Sequence, residues 1–300
     1  MKFNLMLSNA FINQLIVNGC KVLRNELMSK HCSFNIGGPV KFFIEIPNEK
    51  SLYLLLKYIK FKNFYILGSG TNVLFPDYGY NGVVITLVGD FKYCSIKQNN
   101  VLCGSGSYLN DILKLTLMNN LTGLEFAIGI PGTIGGATFG NAGSSNKWIS
   151  SVISGIEIYN SSYQKQYIDR KYIHFEYRAS NINNCIITKV ILQLNKFPFK
   201  INYNIQEYIQ KRYLTQPIDF PSAGSIFKNP VEISAGKLIE YANLKGFCIG
   251  KARISELHGN FIINTGGACA QDVLLLINLI KIKVKKKFNI NLETEIKIIK

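Results

Sequence analysis

Two glycine-rich segments and one serine-bearing loop are the places in this 300-residue chain where residue types and spacing could do chemistry. The first segment, Gly68-Ser69-Gly70-Thr71-Asn72-Val73, follows the apolar run FYIL, which reads as a strand. Backbone N–H groups after such a strand can converge into a nest for a phosphate. The segment lacks the third glycine of the dinucleotide fingerprint and the Gly-Lys-Ser/Thr of a P-loop, so neither usual nucleotide fold is supported. The second segment, Gly129-Ile130-Pro131-Gly132 through Gly135-Gly136-Ala137, is denser and implies backbone pressed against something flat or anionic. One such loop alone is more often a tight turn. Two in one domain, on a basic chain, favour a diphosphate cofactor.

The serine-bearing loop FPSAGSIFKNP sets Ser222 and Ser225 beside Lys228 and Asn229. Taken alone it reads as a type I or II turn. Arg178, in EYRAS, is an arginine in an apolar strand context, where such a side chain usually snorkels or pairs. His31, His174 and His258 are too few and too dispersed for a metal cluster, and no acidic group has metal spacing, so no metal is expected. There is no G-x-S-x-G elbow for a serine hydrolase. The run Lys281 to Lys287 sits at a predicted helix end and reads as a solvated face.

Apolar residues make up 47% of the chain and charged residues 17%, which excludes wholesale disorder. The 34 basic and 18 acidic residues leave a net charge of +16, which suits a polyanionic partner. The abundance of Ile, Asn and Lys is also what an A+T-rich genome produces, so charge alone decides nothing. The basic residues are dispersed and carry no nucleic-acid-binding signature, so no nucleic acid is expected. Seven cysteines are scattered singly, with no C-x-x-C pair, which argues for a reducing, cytoplasmic compartment. Asn4, Ser8, Asn9, Asn13 and Gln14 break the first apolar stretch, against a signal peptide. No uncharged apolar run reaches the roughly 18–20 residues that a membrane span needs.

Hydrophobic periodicity predicts helices over the first 30 residues, over Ser51 to Phe61 with Ser51 as N-cap, and over SYLNDILKLTLMNN. Further helices are expected at YNIQEYIQKRYL, from Ser234 to Leu244, and from Ala270 with Val273, Leu276, Ile277, Ile280, Val284 and Phe288 on one face. Strands are expected at Val40 to Pro47, GVVITL, FKYCSIK, NVLCGSG, VISGIEIYN, KQYID, Cys185 to Asn195 and LETEIKII. The whole is α+β, with a boundary near Lys200.

Taken in order, SFNIGGPVKFF, LGSGTNVLF, GLEFAIGIPGTIGGATFGNAG, FEYRAS, QPIDFPSAGSIFKNP, AGKLIEYANLKG, ISELHGNFIIN and LETEIKII resemble the UDP-N-acetylenolpyruvoylglucosamine reductases, flavoenzymes of peptidoglycan precursor synthesis. The short path from Arg178 to Gln216 is similar to the compact subtype, which lacks a tyrosine loop. The resemblance implies the FAD-binding fold of the vanillyl-alcohol-oxidase type plus a C-terminal α+β substrate-binding domain. The N-terminal FAD-binding subdomain would span 1–66 and be completed by about 289–300; the second would span 67–199, and the substrate domain 200–288.

By the same resemblance, FAD and NADPH are the cofactors and the enolpyruvyl ether of UDP-N-acetylglucosamine is the substrate. The two glycine-rich loops would hold the FAD pyrophosphate. Arg178 and Glu295 would meet the substrate carboxylate, and Ser225 would deliver the proton. Asn229 and Lys228 would reach the uridine diphosphate, with Arg212, His258 and Asn260 on the same surface. A monomer is the implied form. The chain departs from the family pattern at Asn35, where a basic residue is usual, at Lys251, often a glycine, and in NAGSSNKW. An oxidase of the same flavin fold is a second reading, but it has no need of AGSIFKNP and LETE together.

Overall fold

The computed structural model describes residues 7–60, 63–144, 146–196, 210 and 212–300. Packing groups the described residues of 1–24, 42–69 and 81–205 into one compact unit, and those of 25–41, 70–80 and 206–300 into another. Segments 25–41 and 70–80 pack with the C-terminal part of the chain.

The first unit has two layers of helix on sheet. Helix α1 (Asn9–Val17) precedes β1 (Lys21–Leu27) and β2 (Pro39–Ile46), of which residues 21–24 and 42–46 fall in this unit. Helix α2 (Glu49–Ile59) is followed by β3 (Phe64–Ile66) and β4 (Tyr80–Leu87), and the sheet order is β1-β2-β4-β3. The expected helix over the first 30 residues is therefore wrong beyond Val17. Asn18 and Gly19, with Gly19 in the left-handed region at φ 88°, close α1 and release the chain into a strand. On α2, Leu52, Leu55, Leu56 and Ile59 are buried at i, i+3, i+4 and i+7 spacing against Ile44, Ile46, Val83 and Ile85. Its N-cap is Asn48, not Ser51: Asn48 Oδ1 accepts the Ser51 N–H at 2.9 Å, and Ser51 Oγ donates to the Asn18 carbonyl at 2.9 Å.

The second layer is an antiparallel sheet of β5 (Cys94–Lys97), β6 (Asn100–Gly104), β7 (Ile153–Asn160), β8 (Lys165–Asp169) and β9 (Cys185–Gln193). Its order is β8-β7-β9-β6-β5. Helices α3 (Leu109–Met118) and α4 (Ile134–Phe139) share its core, in which Ile112, Ile134, Ile156, Val190 and Leu192 are buried.

In the second unit, β10 (Ser222–Ser225), β11 (Cys248–Ile249), β12 (Ala252–Ile254) and β13 (Phe261–Asn264) form a sheet in the order β10-β13-β12-β11. Helices α5 (Ala235–Tyr241) and α6 (Ala270–Phe288) share one core with Phe34, Phe227, Ile254 and Ile262. The face of α6 read from the sequence (Val273, Leu276, Ile277, Ile280, Val284) is the buried one. Asp77 Oδ1 and Oδ2 accept the Ala270 and Gln271 N–H groups at 2.7 and 3.0 Å, satisfying orphan donors at the start of α6.

The final strand, β14 (Lys297–Ile298), runs parallel to the short strand Val73–Leu74. It was expected to complete the N-terminal subdomain. Its flanking apolar residues Leu292 and Ile296 are buried in the core of the second unit, with Phe34, Ile36 and Leu74. Most of the expected helix YNIQEYIQKRYL, residues 203–209 and 211, lies outside the described residues, although 212–215 are helical. Among the described residues, no helix is long and apolar enough to cross a membrane.

Candidate active site

In the first unit, three short segments come together around the second glycine-rich loop. Strand β6 runs into Ser105-Gly106-Ser107, and this turn zips to the loop through backbone bonds. Gly135 N–H donates to Ser105 O at 2.9 Å, Ile134 N–H to Ser107 O at 2.9 Å, and Leu109 N–H to Gly132 O at 3.0 Å. Thr133 caps α4, its Oγ1 accepting the Gly136 N–H at 3.3 Å. The approach is too close for side chains at two glycines. A Cβ on Gly135 would lie 2.8 Å from Ser105 Cβ and 2.9 Å from its carbonyl oxygen, and one on Gly68 would lie 2.6 Å from Thr133 Oγ1. At both positions it is contact, not dihedral, that favours glycine.

The cradle carries buried hydroxyls without protein partners. Among the described residues, Ser69 Oγ, Ser105 Oγ and Thr138 Oγ1 are buried with no hydrogen-bond partner. A buried unsatisfied polar group costs about 1–3 kcal/mol, so three in one unit, each on or beside the glycine-rich segments, fit a ligand that accepts hydrogen bonds. A diphosphate is such a ligand, and the residues present fit the phosphate-bearing part of FAD.

Arg178 belongs to the same unit. It occupies the left-handed region at φ 59°, in the two-residue turn between Phe175–Glu176 and Ala179–Ser180. Its guanidinium lies 5.2 Å from the Trp148 ring centroid and 5.4 Å from that of Tyr177, and the two rings meet edge to face at 5.3 Å. The hairpin is tied to the glycine-rich segment at two points. Asn141 Nδ2 donates to Glu176 O at 2.8 Å, and Ser180 Oγ donates to Phe139 O at 2.8 Å. Sequence reasoning missed Trp148, Tyr177 and Asn141. The one usable signal was Trp148, the single tryptophan of the chain, within the NAGSSNKW departure.

The second unit assembles the other candidates around the backbone after Ser225. Ser225 pairs with Phe261 across β10 and β13, beyond an irregularity in which Gly224 has φ 74°. Glu295 N–H donates to Ile226 O at 2.8 Å, and Phe227 bridges Thr294 in antiparallel sense. Lys228 N–H donates to Glu293 O at 2.9 Å, while Lys228 Nζ sits 3.3 Å from Glu293 Oε2. Ser225 and Glu295, seventy positions apart, are therefore neighbours along one pairing. Part of the first glycine-rich segment joins them: Asn72 Nδ2 donates to Glu295 O at 3.3 Å, Asn72 O accepts the Lys297 N–H at 3.1 Å, and Val73 is buried in the pairing with Lys297. Gly70, at φ 65°, accepts the Ser33 N–H at 3.1 Å. Thr71, between Gly70 and Asn72, is half-buried.

Asn260, expected on the substrate surface, is 3% exposed and engages the backbone of Phe227. Its amide was legible as polar, but its burial was not. His258, next to it, accepts the Asn260 N–H on Nδ1 at 3.2 Å, and burial lowers its pKa. Asn229 Oδ1 accepts the Ala235 N–H at 3.0 Å at the start of α5. Arg212 Nε and Nη2 both donate to Gln216 Oε1, at 3.2 and 2.8 Å, and burial lowers its pKa. Of the departures, Asn35 takes the left-handed conformation at φ 53°, which asparagine tolerates. Lys251 is exposed, with its N–H on Asp272 Oδ2 at 3.3 Å and its carbonyl accepting from Thr265.

A model of an FAD binding domain matches residues 40–162, spanning both glycine-rich segments. A model of the UDP-N-acetylenolpyruvoylglucosamine reductase C-terminal domain matches residues 216–299, spanning Ser225, Asn260 and Glu295. The chain is 38% identical to the UDP-N-acetylenolpyruvoylglucosamine reductase of Clostridium tetani over 96% of each chain. It is 41% identical to UDP-N-acetylenolpyruvoylglucosamine reductase 1 of Bacillus cereus, over 96% of this chain and 98% of that one. The crystal structure of UDP-N-acetylenolpyruvylglucosamine reductase from Thermus caldophilus matches with a TM-score of 0.81 and 31% identity, covering 93% of this chain and 99% of that one.

Proposed function

The chain belongs to the UDP-N-acetylenolpyruvoylglucosamine reductase family, and from that premise we propose how its own residues carry the reaction. The activity is the FAD- and NADPH-dependent reduction of the enolpyruvyl ether of UDP-N-acetylglucosamine to UDP-N-acetylmuramate, a step of peptidoglycan precursor synthesis. Hydride supply to the terminal vinyl carbon, drawn from NADPH, is the chemistry the bound flavin contributes.

What remains is charge and a proton. As hydride adds, negative charge develops on the adjacent carbon and spreads into the carboxylate. Arg178 forks onto that carboxylate with two parallel donors, its plane held by Trp148 and Tyr177. Glu295, acting as a neutral acid, donates to the same group where an ionised one would repel it. Donors aimed in advance at developing charge are each worth about 2.7–4 kcal/mol. Ser225 then delivers the proton to carbon, because a dianionic enolate is a base strong enough to draw on a serine hydroxyl. Such general-acid help contributes about 10²–10⁴-fold.

Gly68, Ser69, Gly132, Gly135 and Gly136 hold the FAD pyrophosphate, with the Ser69, Ser105 and Thr138 hydroxyls as donors. Lys228 and Asn229 serve the uridine diphosphate, and Asn260 acts as a positioning residue through Phe227. The protein works as a cytoplasmic monomer. The observation that carries this reading is the bond from Glu295 N–H to Ile226 O, which sets a carboxyl-bearing residue beside the serine loop. Incubation with NADPH and the enolpyruvyl substrate tests it: mass spectrometry should find a product two hydrogens heavier, with NADPH consumed in equal amount. NADPH oxidation with the nucleotide unchanged would sink it.

A further inference from the structure

Cys94 and Cys103 stand opposite each other in the β5–β6 hairpin, in the register Cys94↔Cys103, Ser95↔Leu102, Ile96↔Val101, Lys97↔Asn100. The two-residue turn Gln98-Asn99 closes it, with Gln98 in the left-handed region at φ 58°. One step beyond the cysteines, Gly104 N–H donates to Tyr93 O at 2.9 Å. Antiparallel ladders alternate bonded and non-bonded pairs, so Cys94 and Cys103 form a non-hydrogen-bonded pair, with Cα atoms about 4.5 Å apart. That separation falls inside the range of about 4.4–6.8 Å that disulfides span. The sulfurs lie 3.8 Å apart, in thiol–thiol contact.

The two thiols are not equivalent. Cys103 is fully buried, while Cys94 is half-buried at the rim of the same core. The bond from Cys103 lowers the Cys94 pKa, whereas that bond and burial push Cys103 well up. Cys94 is thus the accessible, more acidic partner, and Cys103 is held next to it as a resolving group.

We propose that Cys94 and Cys103 are a reversible oxidation site, closed to an intra-hairpin disulfide by a peroxide. The Cys94 thiolate attacks a peroxide oxygen, the O–O bond breaks, and the departing oxygen takes a proton to leave as water. Cys94 is then a sulfenic acid. The Cys103 sulfur gives up its proton and attacks the Cys94 sulfur, the S–O bond breaks, and a second water leaves. Two electrons pass from the thiol pair to the peroxide. The cross-link fixes β6 just where it runs into Ser105-Gly106-Ser107, the turn that zips to the glycine-rich loop. It does not depend on the reductase reading, and its test contains neither flavin chemistry nor substrate.

The test treats the folded full-length protein with hydrogen peroxide, alkylates the remaining thiols and digests with trypsin without reductant. Cleavage after Lys92, Lys97 and Lys114 puts Cys94 and Cys103 on separate peptides. The expected result is loss of alkylation at both cysteines and a linked peptide pair, released by dithiothreitol. In Cys94→Ser the link should vanish while Cys103 becomes alkylatable once unfolded. The wild-type result needs no variant to fold. Over-oxidation of Cys94 with Cys103 still alkylatable, or linkage of either to another cysteine, would overturn the proposal.

Discussion

Asn260 holds Phe227 by both of that residue's backbone groups: the Phe227 N–H donates to Asn260 Oδ1 at 2.9 Å, and Asn260 Nδ2 donates to the Phe227 carbonyl at 2.8 Å. The clamp is buried, and it fixes the strap that runs from Ser225 past Ile226 to Lys228. It adds to the backbone bonds that Ile226 and Lys228 make with Asn260, Glu295 and Glu293 where the chain leaves β10.

Asn260→Ala should therefore act first on stability. It strands two buried backbone groups, at about 1–3 kcal/mol each. Denaturant unfolding should show a loss of that order, and turnover of the remaining folded protein should fall because Ser225 loses its support. A variant as stable as the wild type would show that the clamp carries no energy.

Ser225→Ala separates the two halves of the reaction. Bleaching of the flavin by NADPH should proceed at the wild-type rate, while its recovery on adding the enolpyruvyl substrate slows by about 10²–10⁴-fold. Stopped-flow absorbance reads both. An equal loss in the two halves would remove Ser225 from the proton-donor role.

Gly135→Ala tests the cradle. The new Cβ would sit 2.8–2.9 Å from Ser105 atoms that include its carbonyl oxygen, so either the loop or the β6 turn must shift. Overpacking of this kind costs about 1–3 kcal/mol. The purified variant should retain less FAD per chain, as read from its visible absorbance, and melt at a lower temperature. Full flavin content would contradict the close approach.

His258 makes stability depend on pH. Burial lowers its folded pKa, so the unfolded chain, with a histidine pKa of about 6.5, binds the proton more readily. Its contribution is complete above the unfolded value and declines as the pH falls below it towards the folded pKa. Lys245 and Glu240 act on it with opposite signs. Denaturation midpoints should drop on acidification below neutrality, and His258→Gln should flatten that slope. An unchanged slope would mean that other groups set it.

Much of this was legible where short-range pattern and packing agree. Helix α6 follows from Val273, Leu276, Ile277, Ile280 and Val284, because spacing alone puts them on one face. The glycine-rich segments were legible because few other residues tolerate such close approach, as Gly68 and Gly135 illustrate. Long-range placement was not. Asn48 outcompetes Ser51 as a cap by lying three residues earlier, a choice set by where the chain leaves β2. Asn260 looked like a ligand contact because sequence reports polarity and not burial. The packing of Leu292 and Ile296 depends on a core that joins nearby residues of the C-terminal part of the chain to Phe34, Ile36 and Leu74, more than two hundred positions away. Trp148 meets Arg178 only through the fold of a hairpin tied back to Asn141 and Phe139.

The most direct test of the central claim is an anaerobic flavin spectrum of the purified protein through two additions. NADPH should bleach the flavin, and the enolpyruvyl ether of UDP-N-acetylglucosamine should then restore the oxidised spectrum in a one-to-one titration. A flavin that bleaches and stays bleached on adding the substrate would contradict the account, as would a chain that binds no flavin at all.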